Sequence, residues 1–192
     1  QLTAQKIICL VAIIVSAMVF IYALGIMTDL YDSLYDTMRN PNNLLKTDVE
    51  GSYVYYEMQG FNRQLLYCGI GLILVTLLLF ITNTNVRRRY YIGNYVAVGL
   101  YVVASLAVVI WAHGYIEYFK ALWLLVDFEA LKEHAEMWGT LYTESTFWFD
   151  LHYFVFALVI ISAILQVANV IWKIILMKEE KKLVEEGKEA AA

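Results

Sequence analysis

Proline is almost missing from this chain: Pro41 is the one example in 192 residues, and there are only two cysteines, Cys9 and Cys68. Charge is scarce too. Asp, Glu, Lys and Arg make up 17% of the chain, where a soluble domain carries about a quarter. Each shortage excludes something. With so little proline, long helices can run without a break. Cys9 and Cys68 each fall near the start of an apolar run; helices that cross a membrane in opposite directions put them at opposite faces, too far apart to bond to each other, and the loops hold no cysteine framework of the secreted kind. The low charge and the absence of a basic amphipathic face exclude a nucleic-acid-binding module. Walker A, Gly-x-Ser-x-Gly, His-Glu-x-x-His and Cys-x-x-Cys are all absent, which removes the common signatures of phosphate, hydrolase and structural-metal chemistry.

Apolar residues fill the space, at 61% of the chain, and they fall in four long runs at 7–28, 65–81, 91–116 and 151–172. A bilayer core needs roughly 20 apolar residues per helix. The expected fold class is therefore an all-α integral membrane protein, a four-transmembrane-helix bundle with helices at about 6–28, 62–83, 91–116 and 151–173. Residues 1–178 form the transmembrane domain and 179–192 a charged helical tail.

Orientation follows from the basic residues. Lys6, the turn Arg87, Arg88 and Arg89, and Lys173, Lys178, Lys181, Lys182 and Lys188 share one side; Arg39, Lys46, Arg63, Lys120 and Lys132 share the other. The positive-inside rule places both termini and the Arg turn in the cytoplasm. No Asp, Glu, Lys or Arg is then left for the apolar cores, which disfavours a proton relay. Outer loops without cysteines or Asn-x-Ser/Thr acceptors point to a bacterial plasma membrane.

The two outer loops, 29–61 and 117–150, are expected to be structured, with short amphipathic helices. The first helix continues past the membrane until Asn40, Pro41 and Asn42 break it, and Thr47–Glu50 matches a weak capping box. A second amphipathic helix is expected over 119–138, lying at the outer surface. Outer aromatics such as Tyr53, Tyr55, Tyr115, Trp123 and Trp148 fit an interfacial belt.

Three constellations have chemical potential. His113 and His152 fall at similar depths near the outer interface and meet if their helices are neighbours. Glu117 shares the His113 face at i,i+4, and Asp150 lies two residues before His152. Two histidines with carboxylates suit a divalent metal, and a histidine pair suits haem b; the simpler reading is a pair of interfacial histidines, with no cofactor. His134 is a further ligand candidate. Next, Ser162, Gln166, Asn169 and Lys173 form a polar stripe, which wants interhelical hydrogen bonds or lines a path. Finally, Gly93, Ala97, Ala104 and Ala107 form a small-residue face suited to close packing within the bundle or with a partner.

The leading expectation is a non-catalytic accessory or structural subunit of a multi-subunit membrane complex, such as a transporter or channel. Its partners are the lipid bilayer and other membrane-protein subunits, or further copies of itself. The alternatives are a haem- or metal-binding redox membrane subunit using His113 and His152, and a self-assembled ion pore lined by the stripe.

Overall fold

The computed structural model describes residues 1–34, 49–84, 92–139, 141 and 143–189, apart from the side chains of 29–34, 138, 188 and 189. Among these residues the structure is all-helical: α1 (Leu2–Leu34), α2 (Val54–Asn83), α3 (Ile92–Trp123), α4 (Phe128–Trp138) and α5 (Phe147–Glu189). Four of them, α1, α2, α3 and α5, are long and apolar enough to cross a membrane. Arg87, Arg88 and Arg89 and the Asn40–Pro41–Asn42 break lie outside the described residues, as does the start of the capping box.

Apolar residues and the lack of proline explain the length of these helices, and threonine hydroxyls show how polar groups survive in them. Thr76 Oγ1 donates to the Leu72 carbonyl at 3.0 Å and Thr82 Oγ1 to the Leu78 carbonyl at 2.8 Å. Each hydroxyl is satisfied by its own helix, as an apolar setting requires.

Element ends differ from the sequence expectation in three places. α2 starts at Val54, behind a turn in which Gly51 adopts φ 80 against the backbone of Leu125 and Val126. α3 runs to Trp123, and the single helix expected over 119–138 is divided by the turn at 124–127. Asp127 causes the division: its extended backbone starts α4, and its carboxylate accepts from the Ala130 N–H at 3.0 Å. Gly139, at φ 66, closes α4. α5 starts at Phe147, a turn ahead of the expected 151, and runs as one helix to Glu189.

α1 packs on α2 and α5, and α3 packs on the same two, so the four long helices form a closed ring. Neighbours are antiparallel. Along α3 and α5, Tyr101 bonds Ser162 and His113 meets His152, one number rising as the other falls. Along α1 and α2, Gln5 contacts Asn83 while Phe20 contacts Gly69. At Gly69 an added Cβ would lie 2.9 Å from the Phe20 Cα, so glycine is what brings α1 and α2 this close. At Gly25 an added Cβ would overlap the Trp148 ring.

The core is uneven. A large cluster containing Tyr22, Ile26, Met58, Phe61, Leu65, Ile116, Phe119, Trp123, Phe149 and Phe156 fills the end where His113 and His152 sit. A smaller one of Cys9, Ala12, Leu79, Ala97, Val98, Tyr101 and Ala163 fills the end near the N-terminus. Lipid-facing chemistry covers the outside: Ile14, Leu74, Val103, Ile110 and Ile164 are all exposed. That surface is stable only against an apolar medium, because exposing patches of this size to water carries a large free-energy cost.

Candidate metal site at the histidine end

His113 lies near the end of α3 and His152 near the start of α5. The antiparallel packing of these neighbours places His113 Nδ1 2.9 Å from His152 Nε2. His152 is wholly buried, while His113 is exposed. Burial fixes the His152 tautomer. Its Nδ1 contacts the Phe149 carbonyl, one turn earlier in the same helix. A carbonyl only accepts, so Nδ1 carries the hydrogen and Nε2 presents a lone pair.

Glu117 follows His113 by one turn of α3 and brings its Oε1 to 3.7 Å from His152 Nε2. Tyr153, the neighbour of His152, donates its hydroxyl to the same Oε1 at 2.8 Å. Ligand atoms of His113, Glu117 and His152 all lie within 4.8 Å of one another. Two imidazoles and one carboxylate are a donor set for a borderline divalent metal such as Zn²⁺. Two features usual around such metals are also in place: an imidazole whose other nitrogen donates to a backbone carbonyl, and a carboxylate steadied by a donor.

Asp150 does not join this set. Lys120 Nζ holds its Oδ1 at 2.5 Å and Thr146 Oγ1 donates to its Oδ2 at 2.7 Å. An acid two residues from a histidine on a helix points away from it, and the nearest cation, one turn beyond Glu117 on α3, takes it. His134 sits on α4, apart from the cluster. Tyr153, Lys120, Thr146 and the Phe149 carbonyl were not singled out in the sequence. Only Tyr153 carried a signal there, through its adjacency to His152.

No family model, curated protein or solved structure matches this chain. The reading of its sites rests on the residues themselves.

At the opposite end the polar stripe of α5 points into the bundle. Ser162 accepts from the Tyr101 hydroxyl at 2.9 Å, Gln166 Nε2 donates to the Ile8 carbonyl at 3.3 Å, and Asn169 Oδ1 accepts from Gln1 Nε2 at 3.1 Å. Lys173 Nζ donates to Asn83 Oδ1 at 3.3 Å and lies 5.7 Å from the centroid of the Tyr95 ring. Lys173 is wholly buried, which corrects the expectation that no charged residue enters the bundle. It follows an apolar run and counts among the basic residues of that side, but α5 continues past it and its face, shared with the stripe, turns inward. The small residues of α3 are divided: Ala97 is buried, Ala104 packs against the large cluster, Gly93 is half-buried and Ala107 is exposed.

Proposed function

We propose that this chain is an integral membrane protein that binds one divalent transition metal at its outer face, through His113, Glu117 and His152. The observation that carries this reading is the convergence of three ligand atoms within 4.8 Å, around a histidine whose tautomer already suits a metal. In the proposal the histidine end faces outward, supported by the concentration of basic residues at the other end, in the plasma membrane of a bacterium.

Geometry favours a single ion over haem. The two rings are in hydrogen-bond contact, with centroids 5.1 Å apart, which leaves no room for a porphyrin between them. For a tetrahedral ion with Zn–N bonds of about 2.0–2.1 Å, the two nitrogens would lie about 3.3 Å apart. The 2.9 Å pair therefore opens by a few tenths of an ångström. His113 ligates through Nδ1 once the hydrogen there moves to Nε2 of its own ring, which an exposed imidazole does at little cost. Three protein ligands leave a fourth position open to water or to another ligand.

A second reading, an accessory subunit docking to another membrane protein, is supported by the apolar side chains exposed just beyond α3 and around α4: Leu124, Leu125, Met137 and Leu141. The two readings are compatible. The stripe residues hydrogen-bond within one chain, which supports a packing role for them over a pore lining.

The test is metal analysis of chelator-treated protein in nanodiscs, re-loaded with Zn²⁺ and dialysed. One equivalent retained by the wild type and none by His152→Ala or by the double variant His113→Ala/Glu117→Gln supports the proposal. The same retention in all of them rejects it.

A further inference from the structure

A second candidate site stands apart from the histidines, between the end of α1 and the first turns of α2. A cavity of about 290 Å³ is lined by Met27, Tyr55, Gln59, Asn62, Arg63 and Leu66. Its five α2 residues recur at helical spacing and share one face. Asn62 is 2% exposed, and among the described residues neither its Oδ1 nor its Nδ2 has a hydrogen-bond partner. A buried amide left this way is costly, and native structures rarely keep one without a ligand or water to satisfy it. Arg63 stands exposed beside it, and among the described residues no carboxylate forms an ion pair with it.

The cavity is amphipathic along the membrane normal. Along α2, Tyr55 and Gln59 lie toward the tyrosines at its start and Leu66 toward the apolar run, with Asn62 and Arg63 between them; the Phe20–Gly69 register places Met27 level with Asn62. One helical turn further along, on the same faces, Ile70 of α2 and Leu24 of α1 are exposed on the lipid-facing surface. A polar upper half that opens below onto a lipid-facing strip matches a phospholipid better than a free solute.

We infer that this cavity holds the headgroup of one anionic phospholipid whose headgroup carries hydroxyls. The phosphate takes the Arg63 guanidinium, whose fork geometry matches it. An ester or phosphate oxygen accepts from Asn62 Nδ2. A headgroup hydroxyl donates to Asn62 Oδ1, so one ligand satisfies both ends of the amide. The acyl chains run down past Leu66 to Ile70 and Leu24. A phosphatidylglycerol meets all of these demands. A phosphatidylcholine has no hydrogen-bond donor to offer Oδ1 and no net negative charge.

The experiment uses the full chain, delipidated in an uncharged detergent, with thermal unfolding and native mass spectrometry as readouts. Phosphatidylglycerol, phosphatidylcholine and inorganic phosphate are added in separate arms. The expected result is one phosphatidylglycerol retained per chain and a raised unfolding midpoint, with little change from phosphatidylcholine. Arg63→Ala weakens phosphatidylglycerol binding by about tenfold or more, the loss of a charge-assisted contact. Asn62→Leu removes the unpartnered amide, so it is at least as stable as wild type without lipid and gains less when lipid is added. Equal retention of both lipids, or phosphatidylglycerol binding unchanged in Arg63→Ala, overturns the inference. Inorganic phosphate stabilising the protein as much as phosphatidylglycerol also overturns it, in favour of a free-anion site.

Discussion

Replacing Tyr153 with phenylalanine is the most informative perturbation of the histidine end, because it touches the proposed metal only through Glu117. The tyrosine hydroxyl donates to Glu117 Oε1 at 2.8 Å, and its loss frees the carboxylate to swing. Residues that steady a metal ligand are worth roughly 10- to 100-fold in affinity. Tyr153 is 52% exposed, so water replaces part of the lost bond and the low end applies: about tenfold, or about 1.4 kcal/mol. With Zn²⁺ at about 100 times the wild-type Kd, binding stabilises the wild type by about 2.7 kcal/mol and the variant by about 1.4 kcal/mol. The assay is Zn²⁺ titration in nanodiscs against a competing chelator dye, paired with thermal unfolding with and without metal. Without metal, Tyr153→Phe and wild type should unfold at nearly the same temperature; with metal, the variant should gain about half as much. Unchanged Zn²⁺ affinity in Tyr153→Phe, together with lost binding in His152→Ala, would remove Glu117 from the ligand set and refute this reasoning.

Other changes test the packing. Gly69→Ala pushes a methyl to 2.9 Å from the Phe20 backbone and should cost about 1–3 kcal/mol, while Gly71→Ala, with nothing within 4 Å, should be neutral or gain up to about 1 kcal/mol of helix propensity; unfolding midpoints in detergent separate the two. Asn83→Leu takes the shared acceptor from Lys173 and Gln5 and should destabilise by about 2–3 kcal/mol, read as a lower midpoint. Asp127→Ala removes the cap of α4 and should cost about 1 kcal/mol, seen as faster hydrogen exchange in 128–138 with the long helices unchanged.

How much of this was legible depends on whether a feature is local. The four long helices were, because a run of apolar residues free of proline has one stable solution in lipid. The inward turn of the Ser162–Asn169 stripe was half-legible: periodicity grouped these residues, but nothing in α5 alone named Tyr101, Ile8 and Gln1 as their partners. The meeting of His113 and His152 was conditional on α3 and α5 being neighbours, a property of the ring and not of either helix. The turn at 124–127 was hidden because Leu124, Leu125 and Val126 read as continuing helix; the only cue was an aspartate followed by Phe128, Glu129 and Ala130, a pattern that suits an N-cap. Asp150 was misread because its distance in sequence from His152 said nothing of Lys120 across the interface. Lys173 had two readings: periodicity grouped it with the stripe, while its place after the apolar run grouped it with the basic residues beyond the span.

The unbroken course of α5 has a mechanical consequence. Glu186 is 34 residues from His152 on one continuous helix, about 50 Å along its axis at 1.5 Å per residue. A stiff rod of that length is a lever: tilting it by about 5° at the histidine end displaces the far end by roughly 4 Å. Lys182 and Glu186, paired at 3.8 Å on its exposed surface, ride on the moving arm. A spin label at Val184, 57% exposed, would register a change of angle at α3 and α5 from the opposite side of the bundle.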